Sequence, residues 1–411
     1  MNRVVFASLT ILFLLSVSSI TGLIQVVKAD GGTIYINADG SISPSTAPIY
    51  TADNITYTLT GNITAVADGI VIERDNIVLD GAGYTTKSGS RNELTSGIGL
   101  GTSNVTVRNM MITNFWYGIW LNSSSNNTFS GNNIANNEVG INLESSSNNT
   151  LSGNNVTANS LNGIWLESSS DSNVLSGNNV ANNLDGIGLD STSSNNTLSG
   201  NNVRANNYFG IWLNSSSNNN ALFGNNVTAN NASGILLDYY SDNNTFSGNN
   251  IANNGVGVYL SASSNNDIFH NSFVNNTSQV TSYDSTNVWD DGYPSGGNYW
   301  SDYAGVDLYS GVYQNATGTD GIGDTPYLIY PRIGVLNSDR YPLMRLFDPQ
   351  TQDLAVAIRN LWLEYNSLNQ TTQNELANVK NTLYVFITIT AILAVALAYV
   401  ATRKRKTKPE T

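Results

Sequence analysis

Seven copies of Gly-Ile-x-Leu recur at steps of 22 to 24 residues, beginning at Gly118, Gly140, Gly163, Gly186, Gly210, Gly234 and Gly257, where the last reads Gly-Val-Tyr-Leu. A unit this short cannot bury its own apolar face, so each copy must stack on its neighbours. Residues in the same column of the repeat therefore lie above one another along a common axis.

Apolar residues fill four columns. One holds Phe129, Leu151, Leu175, Leu198, Leu222, Phe246 and Ile268; a second holds Ile134, Val156, Val180, Val203, Val227, Ile251 and Phe273. The other two are the Ile and Leu of the motif. The apolar runs are short, rich in β-branched residues, and separated by Asn, Gly and Ser, which is strand-and-turn chemistry without a helical period. The expected fold is all-β, a parallel β-helix of about 23-residue rungs spaced by roughly 4.8 Å. The paired Asn of Ser-Gly-Asn-Asn (132/133, 154/155 and their successors) fall at one bend, and a stacked Asn column satisfies its own donors and acceptors.

Seven segments follow from the pattern. Residues 1–29 read as a secretory signal, with Arg3, an apolar run and Val27-Lys28-Ala29 before Asp30. Residues 30–117 are an N-terminal cap and first irregular rungs, 118–276 the regular array, and 277–350 an aromatic- and Gly-rich C-terminal cap. Residues 351–382 are expected to form a helical stalk that also offers weak self-association. Residues 383–401 carry no charge and are long enough for one transmembrane helix. The basic tail 402–411 then lies in the cytoplasm and the large N-terminal part outside the cell. Sixteen Asn-x-Ser/Thr sequons, among them Asn122 and Asn214, make an exported chain a candidate glycoprotein.

Net charge is −13, but only 11% of residues are charged, so the surface is polar rather than acidic. With 17 Lys plus Arg, several in the tail, nucleic acid is not a partner. The absence of Cys excludes disulfides, thiolate metal sites and Cys nucleophiles.

The array and its flanks resemble the NosD-like, carbohydrate-binding and sugar-hydrolase class of β-helix repeat proteins, in particular exported, surface-anchored archaeal members. The flanking segments that carry the likeness are Gly32-Thr-Ile-Tyr-Ile-Asn-Ala-Asp-Gly40, Arg74-Asp-Asn-Ile-Val-Leu-Asp-Gly-Ala-Gly-Tyr84, Ile268-Phe-His-Asn-Ser-Phe-Val-Asn-Asn276, Gly297-Asn-Tyr-Trp-Ser-Asp-Tyr303, Asp320-Gly-Ile-Gly-Asp-Thr-Pro-Tyr327 and Asp339-Arg-Tyr-Pro-Leu343. The resemblance implies a right-handed helix outside the cytoplasm. Its namesake serves maturation of a copper enzyme, which needs His, Met or Cys clusters; this chain has one His (His270) and four Met, so that role does not transfer.

In each Gly-Ile-x-Leu strand, Ile and Leu point inward, and x and the residue after Leu point outward. The x column holds Trp120, Trp165, Trp212 and Tyr259, the tryptophans at every second rung. The column after Leu holds Glu144, Glu167 and Asp190 on consecutive rungs. Flat indoles suit sugar rings and carboxylates accept hydroxyl protons, so this strip is the candidate carbohydrate site. Covering of the tryptophans by loops, a partner or the chain's own glycans is the competing reading. The stacked carboxylates either splay into water or hold a cation. Asp320 and Asp324 flank a Gly-rich turn, and Ca²⁺ there is the only cofactor the sequence leaves open. The function expected is adhesion, envelope structure or polysaccharide binding without catalysis, with extracellular glycans or envelope components as partners. The alternative is a polysaccharide hydrolase or lyase, although the array from Gly118 to Asn276 holds one cation, Arg204, for a lyase base.

Overall fold

The computed structural model describes residues 31–347 and, apart from them, Ala394. The signal segment, stalk and basic tail expected from the sequence, and the expected membrane helix apart from Ala394, lie outside the described residues. Among the described residues no helix is long and apolar enough to cross a membrane.

Three long sheets of 12, 11 and 11 strands wind into a parallel β-solenoid. It is of the right-handed type, as parallel crossovers almost always are. One rung shows the path. Val139–Glu144 lies in the first sheet, Thr150–Ser152 in the second and Asn155–Thr157 in the third. Asn162–Glu167 then returns to the first sheet, pairing Ile141 with Ile164 and Leu143 with Leu166. The four apolar columns of the sequence stack in this register and are buried throughout. The solenoid extends past the regular repeats at both ends. Ile34–Ile36 opens the parallel stack of the first sheet, and Ser278–Tyr283 and Tyr299–Trp300 continue the first and third sheets beyond Asn276.

The repeated Gly of Gly-Ile-x-Leu is fixed by crowding at a bulge. A Cβ at Gly140 would sit 2.3 Å from the Gly163 carbonyl oxygen and 2.9 Å from Asn159 Nδ2. Any side chain there would push two rungs apart, so the motif begins with Gly in every copy.

The bends follow one rule. In the regular rungs the last residue of a bend at positive φ is followed by a residue turned into the core. In one rung Ser123, Asn126, Gly131 and Asn136 have φ between 53° and 62°, and Ser124, Asn127, Asn132 and Asn137 after them are buried. Asn, Gly and Ser tolerate this backbone, or carry short side chains that bond locally within it. The inward residues stack into three Asn columns and one Ser column. In the middle column the backbone N–H and Nδ2 of Asn178 donate to Asn201 Oδ1 at 3.0 and 2.9 Å, and Nδ2 also donates to the Leu151 carbonyl at 2.9 Å. The other two Asn columns repeat this bonding. Most of these side chains thus use both protons and accept two, which is what a buried amide requires.

The paired Asn do not form one ladder, as the sequence suggests. The first of each pair is inside. The second lies on the outer face of the third sheet and bonds in the opposite sense, with Asn202 Nδ2 donating to Asn179 Oδ1 at 2.9 Å. The split follows from the two-residue pleat, which sends neighbours to opposite faces.

All inner ladders donate toward the C-terminal end, so the last rung presents donors that need acceptors. The cap supplies them. Asn287 N–H donates to Asn337 Oδ1 at 2.9 Å, and Asn298 N–H to Asp339 Oδ2 at 2.7 Å. Asp339 also accepts from Trp300 Nε1 and the Tyr341 amide. Gly297 leaves room for this carboxylate, into which a Cβ would collide. Arg340 holds the buried Asp290 through both carboxylate oxygens, and Trp300 stacks between Phe273 and Tyr327 at 4.3 and 4.1 Å. An aromatic plug and a buried carboxyl group that accepts from three donors therefore close the hydrophobic end of the solenoid.

Candidate functional site

The first sheet carries the two outward columns. Trp120, Asn142, Trp165, Gly188, Trp212, Leu236 and Tyr259 are paired rung to rung in one register. Beside them Asn122, Glu144 and Glu167 pair in the same way. The structure thus brings Trp120, Trp165, Trp212, Glu144, Glu167 and Asp190 onto one strip, with Tyr259 two rungs past Trp212.

The tryptophans do not stand free. Each is partly exposed, and the small residue beside it accounts for its posture. The Trp212 indole fills the space over Gly188, with Cε2, Cζ2 and Nε1 lying 2.5 to 2.7 Å from where a Cβ would be. Asn142, between Trp120 and Trp165, is fully buried although it points to the outer face. Tyr117 stacks on Trp120 with centroids 5.5 Å apart and planes at 22°. The alternation of large and small residues lets indoles pack onto the sheet rather than project from it.

Each carboxylate has its own donor. Trp120 Nε1 donates to Glu144 at 3.3 Å, Asn142 Nδ2 to Glu167 at 3.1 Å, and Asn214 Nδ2 to Asp190 at 3.1 Å. These donors relieve the in-register repulsion anticipated for like charges. Burial raises the Glu167 carboxyl above the usual range, Asn142 opposes this, and Glu144 and Asp190 reinforce it. Burial also raises Asp185, whose carboxylate accepts the Phe209 amide. The buried Oδ1 of Asn142 and Nε1 of Trp165 and Trp212 have no hydrogen-bond partner within the protein.

Asp320 and Asp324 both accept backbone amides. Asp324 accepts the Leu308 and Tyr309 amides, and Asp320 accepts those of Gly311 and Ile322. Among the described residues no group of three or more His, Asp or Glu is placed to hold a metal ion. Of the strip's sequons, Asn122 is exposed, and the side-chain nitrogen of Asn214 is engaged by Asp190.

Three features near the strip escape the periodic reading. Arg91 reaches from the lead-in to Glu138 at 3.2 Å, the Ser160 hydroxyl at 2.9 Å and the Asn136 carbonyl at 2.6 Å. It thereby brings a cation to the corner beside the first sheet. Nothing in the spacing announces this, because the loop carrying it is an insertion before the array. Tyr117 was likewise hidden, one residue ahead of the motif. Tyr239 and Tyr240 are legible in hindsight: they occupy a bend that other rungs build from Ser, Thr or Ala. Their φ values are 48° and 63°, and they are 62% and 66% exposed. Bulky exposed side chains on a left-handed backbone are uncommon, and they set this bend apart from the others.

The family model described as "Periplasmic copper-binding protein (NosD)" matches residues 27–196 and 182–305. The chain belongs to the NosD family. No curated protein matches it. Among solved structures, Geobacillus virus E2 ORF18 is similar at 18% identity and a TM-score of 0.47, over 65% of this chain and 55% of that one. The periplasmic alginate epimerase AlgG is similar at 18% identity and 0.39, over 62% and 83%. Pectate lyase Pel9A is similar at 15% identity and 0.42, over 62% and 72%. The NosD chain thus spans about half the length of the viral protein.

The family description implies copper, and the donor set of this NosD chain does not fit it. His270 is buried, stacks on Phe347, and engages the Ser295 carbonyl at 2.9 Å through Nε2. It occupies the left-handed bend position that Gly131 to Gly248 fill in earlier rungs. Met110 is in the core seven rungs away, roughly 34 Å along the axis. His270 and Met110 are therefore far apart and do not form a copper site together.

Proposed function

We propose that this NosD-family chain displays the outer face of its first sheet outside the cell to bind an extended polysaccharide, in adhesion or envelope structure, without cleaving it. The observation that carries the reading is the register of Trp120, Trp165 and Trp212 on alternate rungs, beside a column of carboxylates and amides. Partly exposed indoles supply apolar faces for sugar rings, and Glu144, Glu167 and Asp190 supply acceptors for hydroxyls. The signal-like residues 1–29 and the uncharged run 383–401 support an anchored protein with this face outside.

Glycan-array binding by the full-length chain tests the reading, with Trp165→Ala and Trp212→Ala as variants. Binding to at least one polysaccharide class, weakened in both variants, is expected. No binding to any glycan, or binding that ignores both substitutions, refutes it.

One observation favours a second reading. Glu144 and Glu167 are rung neighbours about 5 Å apart in backbone spacing, and burial raises Glu167. A carboxyl pair at about 5 to 5.5 Å, one member protonated, is the arrangement of a retaining glycosidase. New reducing ends from a polysaccharide, lost in Glu167→Gln, would establish catalysis in place of simple binding.

A further inference from the structure

The strip has a spacing and a sign, and both select among polysaccharides. Its three tryptophans occupy every second rung of one register column, so their backbone positions recur at about 10 Å along the solenoid axis. An extended chain of pyranoses joined 1,4 through equatorial bonds turns over at each sugar. It returns to the same orientation at every second one, over a length close to this spacing. Such a chain laid along the axis offers the same ring face to Trp120, Trp165 and Trp212 in turn. The intervening sugars present their other face and their bulkier edge. They meet the rungs of Asn142 and Gly188, where no side chain projects: Asn142 is buried and the Trp212 indole lies over Gly188. A chain with axial 1,4 linkages coils and leaves the line after one or two sugars.

The sign comes from the neighbouring columns. Glu144, Glu167 and Asp190 flank the indoles on one side, and Asp185 lies on the other. No Lys or Arg stands in these columns. Arg91 is paired with Glu138, and Arg204 lies on the third sheet. A polyuronate or sulfated chain would meet repulsion along its whole length and no cation to offset it. Hydroxyls, in contrast, find acceptors at each rung.

We infer that the ligand is an uncharged, equatorially 1,4-linked glycan bound parallel to the solenoid axis, its alternate sugars stacked on Trp120, Trp165 and Trp212. The inference rests on the glycan-binding reading above and narrows it to one linkage geometry and one charge class. Trp120 to Trp212 covers four rung steps, so the contacts are complete at about five sugars.

Calorimetric titration of the full-length chain, produced in a host that adds no N-glycans, tests this. The probes are cello-, manno- and N-acetylated chito-oligosaccharides of two to eight sugars, with malto-oligosaccharides and oligouronates as contrasts. At least one neutral β-1,4 series should bind, tightening roughly tenfold or more from three sugars to five or six and then levelling off. Trp165→Ala should weaken the hexamer roughly tenfold, and Trp165→Phe, which keeps a ring and controls for folding, by less. Preference for oligouronates or malto-oligosaccharides, with the Trp165 dependence intact, overturns the inference and leaves the glycan-binding strip standing. So does binding that stops tightening at two sugars. No binding by any probe, or binding indifferent to Trp165→Ala, overturns both.

Discussion

Asn201 and Asn202 are adjacent and chemically identical, yet the structure assigns them opposite consequences. Asn201 is inside, fully buried. Its Oδ1 accepts the backbone N–H and Nδ2 of Asn178, and its Nδ2 donates to Asn225 Oδ1 and the Leu175 carbonyl. Asn201→Ala orphans two donors, the backbone N–H and Nδ2 of Asn178, while Asn225 Oδ1 keeps the backbone N–H of residue 201. At about 1–3 kcal/mol for each unmet buried group, the loss is about 2–6 kcal/mol. Asn202 faces outward and is partly exposed, so water replaces its partners, and Asn202→Ala should cost only about 0.5–1 kcal/mol. Asn201→Asp is the sharper probe. A carboxylate keeps both bonds from Asn178 but turns a protonless oxygen toward Asn225 Oδ1 and the Leu175 carbonyl, so it should also destabilise strongly. Urea unfolding, with hydrogen exchange at the Asn178 amide, measures all three. Equal losses at 201 and 202, or a tolerated Asn201→Asp, would refute the directional account of the ladders.

Two further outcomes follow. Burial pushes Asp339 up to about 7, so the folded chain holds this proton more tightly than the unfolded chain, whose carboxyl has the ordinary value near 3.8. The associated stability is fully present below that unfolded value and is lost as pH rises through about 7; thermal unfolding should show this decline in the native chain and not in Asp339→Asn. Gly188→Ala places a methyl group where the Trp212 indole lies, so it should shift tryptophan emission and weaken glycan binding with little change in the far-ultraviolet circular dichroism.

The repeat made the solenoid, its four apolar columns and the outward strip legible, because Phe129, Ile134 and the Ile and Leu of the motif recur at fixed offsets. The ladders were only half legible. Asn127 and Asn137 sit in polar runs that read as turn filler, and burial of a polar residue leaves no mark in its spacing. The division of each Asn pair depends on the pleat, which the pair alone does not display. The strip's residues were found, but not their posture: that Trp212 lies over Gly188 is a relation between two rungs. Arg91 was out of reach, since its contacts lie 45 to 69 residues away. The flanking motifs that mark the family gain a structural meaning, because Gly297, Asn298, Trp300, Asp339 and Arg340 together build the terminal cap.

Because every inner ladder runs in one direction, each rung offers the next the same donors and receives the same acceptors. The cap around Asp339 meets only the final set, whatever number of rungs precedes it. Rungs can therefore be gained or lost by duplication or deletion of a whole repeat, with neither end redesigned. The outer face grows in the same step, by about 4.8 Å per copy. Copy number thus acts as a ruler: it sets how much of the outer face is displayed, independently of the contacts that keep the protein folded.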